Sequence, residues 1–325
     1  MSKRSSKKKS AGRPRGAQKR KTTARARVET SPASANGRLG ILAGAGELPW
    51  LAMREALRRG EDNVAAVCFT DDPPPADLAD RAERVILTRF YSSTLKAFRS
   101  AGVSRMLLLG KSTRDILYNR PRFDARTLLL LARMVSQSDY ALFSYLAEVV
   151  EKTGIQIISQ DEYLGELFLA EGRYGAKLDA KRLADVRFGL RMAREMNRLD
   201  IGQTVVVGDQ AVLAVEAAEG TDKCIRRGGE MFKNRGAVVC KLAKENHDRR
   251  FDIPATGIST LESMAASGCR VLAFDASHTF VIDPDAFLAE ARQRNITVVA
   301  VDPARESGDA GGYLKALNGR TAVRG

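Results

Sequence analysis

From Arg38 onward the chain alternates short apolar runs with stretches that space their apolar residues as a helix does. Arg38–Ala43 predicts a strand, Leu48–Arg59 a helix and Asn63–Thr70 a second strand; the Asp-Asp-Pro-Pro-Pro run at 71–75 is a loop. Arg84–Leu87 and Arg105–Leu109 predict further strands, separated by a helix around Thr94–Ser100. Helices at Ala125–Ser136 and Asp139–Thr153 follow, then a strand at Ile155–Ser159. Strands that alternate with helices in this way imply a parallel sheet with helices on its faces. This first unit is expected to end near Phe168.

Gly172–Gly175 predicts a turn and Asp179–Arg198 a charged amphipathic helix, together a connector. Beyond it, Gln203–Gly208 and Ala211–Glu216 predict a hairpin around Gly208-Asp209-Gln210. Asp222–Lys233, Ser259–Ser267 and Asp285–Arg294 are expected as helices, and Gly236–Leu242, Arg270–Asp275 and Ile296–Val301 as strands. The expected fold is α/β in two domains: a Rossmann-like parallel sheet over 37–170 and a second α/β domain over 201–305. Residues 171–200 join them, and 306–325 form a loose tail.

Charge changes this picture at one end only. The net charge is +14, yet residues 1–36 hold twelve Lys or Arg and one acid, Glu29, which leaves the remainder near neutral. This segment has no apolar periodicity and no apolar core of a secretory signal, so it is expected to be a disordered basic tail. It suits a solubilising extension or attraction to an anionic membrane surface. Nucleic acid is the weaker partner, because the tail carries no aromatic residue for base stacking. No apolar run approaches the roughly 18 residues of a membrane span. Four scattered cysteines (Cys68, Cys224, Cys240, Cys269) form no CxxC pair, which argues against zinc ribbons and for a reducing, cytoplasmic setting.

Candidate chemistry begins at the glycine turn Gly44-Ala45-Gly46-Glu47, which follows a strand and opens a helix. Its backbone N–H groups could face an anion, or the turn could serve packing alone. Pro49 occupies the third glycine position of a dinucleotide fingerprint, which disfavours a Rossmann-type oxidoreductase. Gly110-Lys111-Ser112-Thr113 resembles the end of a Walker loop, but the first glycine of that loop falls on Arg105, so an NTPase is excluded. In the second unit, Glu216, Glu219 and Asp222 gather at a strand end around Gly220 and Thr221; they could cap the next helix or bind a hard cation. The segment Lys241–Pro254 is dense in both signs of charge: Lys241, Lys244, Glu245, Asp248, Arg249, Arg250 and Asp252. That mixture suits a site holding metal and diphosphate together, or a salt-bridged surface loop. The two histidines, His247 and His278, are too far apart in sequence for a zinc-ligand spacing; His247 could donate a hydrogen bond or a proton, or be a solvated bystander.

Taken in order, these motifs are similar to the LpxI family: GILAGAGELP at 40–49, Gly110-Lys111, the Asp139–Leu142 segment, Asp200–Val207, VLAVEA-x-EGTD at 212–222, and K-x-x-K-x-x-x-D-x-R-x-D-x-P-x-x-G-x-x-T from Lys241 to Thr260. The resemblance spans roughly residues 38–302, and its specific part is C-terminal. It implies hydrolysis of the diphosphate of UDP-2,3-diacylglucosamine to UMP and 2,3-diacylglucosamine 1-phosphate in lipid A biosynthesis, assisted by Mg²⁺ (or Mn²⁺). Carried over by position, it marks Gly44, Gly46, Glu47, Lys111, Asp139, Gln203 and Thr221 for substrate. Asp252, Asp248, Lys241, Lys244 and Arg250 are marked for the chemistry, and Asp252, Asp248, Asp222, Glu219 and Glu216 for the metal. Glu245 and His247 stand where the family usually has proline and glutamine, and Tyr140 where it has a second aspartate. The expected enzyme is cytoplasmic, with peripheral contact to the inner membrane and a homo-oligomer left open. The rival is a non-catalytic relative that binds a nucleotide sugar or nucleic acid.

Overall fold

A computed structural model describes residues 37–61, 64–68, 72–84, 94–110, 139–233, 235–244, 247–302, 304–305 and 310–322. The basic tail and the helix expected at 125–136 lie outside them.

The first sheet is parallel, with strand order β3-β2-β1-β4-β5. Its strands are β1 (Arg38–Ala43), β2 (Ala65–Cys68), β3 (Ala82–Arg84), β4 (Val103–Leu109) and β5 (Gln156–Ile157). Successive strand residues point to opposite faces, and both faces here are covered, which is why the strands read as continuous apolar runs. Leu39, Ile41 and Ala43 pack with Trp50, Met53 and Ala56 of helix α1 (Leu48–Arg58). Leu42, Met106 and Leu108 pack on the other side with Phe98 of α2 (Leu95–Ser100) and Val149 and Val150 of α3 (Asp139–Glu151). The chain moves outward from β1 to β3, then returns to lay β4 on the other flank of β1. The reversal falls between β1 and β4, and in such sheets a crevice opens beyond the carboxyl ends of the strands at that place.

Among the described residues the second sheet has six strands, ordered β6-β13-β11-β9-β7-β8. They are β6 (Gly172–Tyr174), β7 (Thr204–Gly208), β8 (Ala211–Val215), β9 (Val238–Lys241), β11 (Val271–Asp275) and β13 (Thr297–Val301). A separate parallel pair joins β10 (Ala255–Thr256) to β12 (Phe280–Val281). One face of the six-stranded sheet packs Val206, Val239, Leu272 and Phe274 against α6 (Thr221–Met231), α7 (Ile258–Ala266) and α8 (Pro284–Gln293). The hairpin forms as expected: β7 and β8 are antiparallel, and Asp209 and Gln210 both take positive φ, 53° and 55°. The Asp185 carboxylate accepts both turn N–H groups, at 3.2 and 2.7 Å.

Two expectations are corrected. Residues 171–200 are more than a connector, because β6 pairs antiparallel with β13 and helix α5 (Ala180–Arg198) is built into the core. Val186, Leu190 and Ala193 of α5 cover Val205, Val207, Val238 and Cys240 on the second face. The C-terminal segment is not loose over its described part: α9 (Ala310–Gly319) buries Tyr313, Leu314 and Leu317 in the same cluster. Buried Arg173 fixes it, donating from Nε to Asn318 O at 2.9 Å and from Nη2 to Thr321 Oγ1 at 2.7 Å. Asn318 in turn exchanges two 2.9 Å hydrogen bonds with the Leu178 backbone. No helix among the described residues is long and apolar enough to cross a membrane. All four cysteines are buried, and none forms a disulfide among the described residues.

Candidate functional site

At the reversal point of the first sheet the two glycine turns lie back to back. Gly44 N–H donates to Leu109 O at 2.7 Å, and Gly46 and Gly110 take φ of +98° and +95°. A Cβ on Gly110 would come within 2.7 Å of Gly44 C and 2.9 Å of Ala45 O, so only glycine lets the turns approach this closely. Glu47 is exposed at the N-cap of α1 without a side-chain cap, and Pro49 lies in the first helical turn. Lys111 and the side chain of Asp139 fall outside the described residues.

The segment after β9 is anchored to the first unit. Arg249 O accepts from Gln160 N at 2.9 Å and from Ser159 Oγ at 3.3 Å, while Gln160 Nε2 donates to Leu108 O at 2.6 Å, two residues before Gly110. The Arg249 guanidinium pairs with Asp161, donates to Ser277 O at 3.1 Å and lies over the Phe168 ring. Phe168 stacks on Phe280 at 4.8 Å, and Ile253 and Phe280 complete the apolar cluster beneath β1 and β4. These contacts place the charged segment on the carboxyl-end side of the first sheet. Burial pushes the Asp161 carboxyl up, but hydrogen bonds from Arg249 and Ser159 outweigh it and hold the group below the usual carboxylate range.

Within the segment, Asp248 accepts from the Arg250 backbone at 2.9 Å and from its guanidinium at 2.7 Å. Burial alone would raise its pKa; the Arg250 hydrogen bonds lower it. Arg250 also reaches Glu151 on α3 at 2.9 Å. Phe251 and Asp252 both donate their N–H to Asp248 O, at 3.1 and 2.9 Å, so a single turn brings Asp248 and Asp252 near each other before Pro254. Lys241 is 4% exposed and its Nζ donates to Ala255 O at 2.7 Å, whereas Lys244 pairs with Asp200.

The other acids form a second set at the far side of β9. Glu216 N donates to Thr204 O at 2.9 Å, and Thr204 pairs with Lys241, so register sets Glu216, Thr204 and Lys241 in a row on one face. Glu216 is buried: Oε1 accepts from Thr221 Oγ1 at 2.8 Å, and Oε2 has no partner among the described residues. Gly220, at φ +86°, turns the chain into α6, whose first turn holds Asp222. Glu219 is turned away to Arg227 at 2.7 Å, which lowers its pKa. Gln203 O accepts from Leu242 N at 3.0 Å, tying the site's floor to β9.

The five acids marked as candidate metal ligands, Asp248, Asp252, Glu216, Glu219 and Asp222, are distributed over two segments of the chain. Among the described residues no three His, Cys, Asp or Glu side chains gather closely enough to hold a metal ion. The physical reason is local: Asp248 and Glu219 are taken up by arginines and Glu216 by Thr221. Conversely, Gln160, Asp161 and Asp275, which sequence did not single out, belong here. Gln160, Asp161 and Arg249 lock the segment down, and the buried Asp275 accepts from Ala243 N at 2.8 Å. His247 and His278 stand ring against ring, with centroids 5.1 Å apart. Charge density flagged the segment; nothing in the spacing announced these partners from elements 88 residues away.

The fold and site define a class: a two-domain α/β protein in which a charged segment of one domain covers the carboxyl-end crevice of the other. The family follows from comparison. Residues 38–167 match the model of the LpxI N-terminal domain and 170–299 that of the LpxI C-terminal domain, and the chain belongs to the LpxI family. It is 33% identical over 280 residues to the UDP-2,3-diacylglucosamine pyrophosphatase LpxI of Caulobacter vibrioides (strain ATCC 19089 / CIP 103742 / CB 15), covering 82% of this chain and 98% of that one.

Proposed function

We propose that this chain is a pyrophosphatase that hydrolyses the diphosphate of UDP-2,3-diacylglucosamine, releasing UMP and 2,3-diacylglucosamine 1-phosphate in lipid A biosynthesis. The observation that carries the reading is the hydrogen-bonded seat of the 247–254 segment against Gln160 and Leu108, beside the glycine turns. A substrate phosphate at the turns would then meet the charged segment. The oxygen of a water joins one phosphorus, and the anhydride oxygen leaves with the other.

In this reading the N–H groups at Gly44, Gly46 and Glu47 hold one end of the substrate, as backbone donors at a helix N-terminus do. Lys111, Asp139, Gln203 and Thr221 are proposed to complete the binding surface. Arg250 and Lys244, each already paired with a carboxylate, keep positive charge at the crevice where negative charge builds up on the phosphoryl group. Buried Lys241, steadied by Ala255 O, adds a fixed ammonium group from below. Mg²⁺ (or Mn²⁺) fits without a cage, because this ion takes one or two carboxylates and completes its shell with phosphate oxygens and water. Asp248 and Asp252, linked by one turn, would hold it, and it would supply polarisation of the diphosphate. Glu216, Glu219 and Asp222 are not assigned to that ion; Glu216 and Glu219, held by Thr221 and Arg227, have a supporting role at the neighbouring strand end. Peripheral contact with an anionic membrane surface, through the basic tail, completes the proposal.

The test is UMP release from UDP-2,3-diacylglucosamine over a Mg²⁺ titration, with Asp252→Asn beside wild type. The reading expects a loss of at least about a hundredfold in kcat with an unchanged melting temperature. Near-wild-type turnover by Asp252→Asn at saturating Mg²⁺ would sink the assignment. Tight nucleotide-sugar binding by wild type without any UMP release would favour the non-catalytic rival.

A further inference from the structure

Helix α5 carries four arginines, Arg187, Arg191, Arg194 and Arg198, at spacings of four, three and four. At about 100° per residue they fall within about 60° of one another, along about 16 Å of the helix axis. They lie opposite the face that buries Val186, Leu190 and Ala193 against the second sheet. Arg187, Arg191 and Arg198 are exposed. The acids of the helix do not cancel this stripe. Buried Asp185 holds the β7–β8 turn, and Glu195 pairs with Arg198 at 3.4 Å, so four positive charges on the outer face meet one negative. Helix α9 packs beside α5 and adds exposed Lys315 and no acid to the same layer.

At the end of the stripe the chain turns sharply. Asp200 takes φ +55°; its N–H donates to Asn197 O at 3.1 Å, and that of Ile201 to Met196 O at 3.2 Å, the paired closure that ends many helices. Backbone bonds therefore fix the turn, yet it displays Leu199 at 70% exposure and Ile201 at 46%. A single exposed aliphatic residue needs no explanation, whereas two on one rigid turn beside a basic stripe do. Asp200 between them is engaged by Lys244, and Asn197 Nδ2 donates to Leu242 O and Ala243 O at 2.9 and 3.1 Å. The turn thus borders the start of the charged segment.

We propose that this surface docks on an anionic lipid bilayer: the arginines of α5 meet headgroup phosphates while Leu199 and Ile201 enter the boundary with the acyl chains. Basic residues attract the surface over a Debye length and apolar side chains hold it, and these two signals together give stable peripheral contact. A nucleic acid would meet the same positive charge but offers nothing to two aliphatic side chains. The surface belongs to the folded body and not to the basic tail, so it sets an orientation, with Lys244 and the charged segment on the membrane side. That a diacylated substrate enters from that side rests on the pyrophosphatase reading; the docking itself does not.

The experiment uses the full chain, tail included, with vesicles of phosphatidylglycerol and phosphatidylethanolamine or of phosphatidylcholine alone, and no substrate. Leu199→Trp places an indole on the turn; the one native tryptophan, Trp50, is buried. Emission from Leu199→Trp should fall at least about twofold when the phosphatidylglycerol chains are brominated, while wild-type emission stays unchanged. Arg187→Glu combined with Arg191→Glu should weaken binding at least about tenfold without moving the melting temperature, since each basic residue near an anionic surface contributes about fivefold. Should that pair fail to fold, Arg187→Gln combined with Arg191→Gln replaces it, with an expected loss of at least about fivefold. An unquenched indole on vesicle-bound protein, or equal affinity in wild type and a folded variant, overturns the proposal and leaves docking to the tail. Oligonucleotide binding that depends on Arg187 and Arg191, beside an unquenched indole, also overturns it, in favour of nucleic acid. No readout uses turnover, so these outcomes stand apart from any failure of the pyrophosphatase reading.

Discussion

Replacing Gly110 and Gly46 separately by alanine would test whether the glycine turns are packed as described, and the structure gives the two changes different costs. Both residues have φ near +95°, where an L side chain costs about 1–2 kcal/mol. At Gly46 nothing lies within 4 Å of the new Cβ, so that conformational cost is the whole effect. At Gly110 the Cβ would also strike Gly44 C at 2.7 Å, Gly44 O at 2.8 Å and Ala45 O at 2.9 Å. These are backbone atoms, which cannot swing aside as a side-chain end can, and overpacking of this kind adds about 1–3 kcal/mol. Gly46→Ala should thus lose about 1 kcal/mol and Gly110→Ala about 3. In a body of this size each kcal/mol moves the midpoint by about 2–4 °C, giving a drop of a few degrees for one and roughly 6–10 °C for the other. Thermal melts and urea midpoints of the full chain measure both. Activity should split the other way: Gly46→Ala puts a methyl group where a phosphate must approach backbone N–H groups, so KM rises while the fold survives. Equal melting of the two variants, or a Gly110→Ala midpoint within about 2 °C of wild type, would refute the back-to-back packing.

Other consequences follow from charge. Asp161 has a depressed folded-state pKa, so its pairing stabilises the protein above the unfolded value of about 3.9 and is lost as pH falls through the lower folded value. Arg249→Ala should therefore weaken the protein near neutrality and flatten its further loss below about pH 4, as read from urea midpoints across pH 3–7; an unchanged acid slope would show that Arg249 is not the cause. Deleting residues 1–36, which hold twelve basic residues, should leave the rate on detergent-dispersed substrate unchanged within a few-fold. It should weaken binding to anionic vesicles, and that loss should shrink as salt is added; a tenfold fall of the rate in detergent would contradict it.

The strand–helix alternation was legible because both sheets are covered on two faces, so runs such as Val205–Val207 and Val238–Cys240 stand out without any tertiary knowledge. Two elements escaped for a shared reason. The edge strand at Gly172–Tyr174 has three residues, and the helix at Ala310–Gly319 is interrupted by Gly311 and Gly312. Each is secured by tertiary bonds from Arg173 and Asn318 and not by its own propensity. The site shows the same division. Charge density identified Lys241–Pro254, because seven charged residues after a buried strand need a reason. Density does not say which way each side chain turns. The resemblance marked five acids as candidate ligands, and the structure adds their partners: Arg227, Arg250 and Thr221 each hold one of them.

Where the site lies is argued more firmly by polar atoms than by charges. Thr204 Oγ1, Glu216 Oε2, Thr256 Oγ1, Thr279 Oγ1, His247 Nε2 and His278 Nδ1 are all buried with no hydrogen-bond partner among the described residues. Native interiors carry few such atoms, since each left unengaged costs about 1–3 kcal/mol. Others among the described residues, including Thr94 Oγ1, Arg105 Nε and Ser263 Oγ, lie elsewhere, but these six share one end of the second unit. Thr204 and Glu216 flank the carboxyl end of β9 by register, Thr256 lies in β10, Thr279 directly precedes β12, and the histidines border the loops after β9 and β11. A fold that tolerates this concentration at one end, while the apolar clusters on both faces of the same sheet are filled by helices, trades stability for chemistry there. Arg249 and Gln160 then bring that end to the crevice of the first sheet, beside the glycine turns.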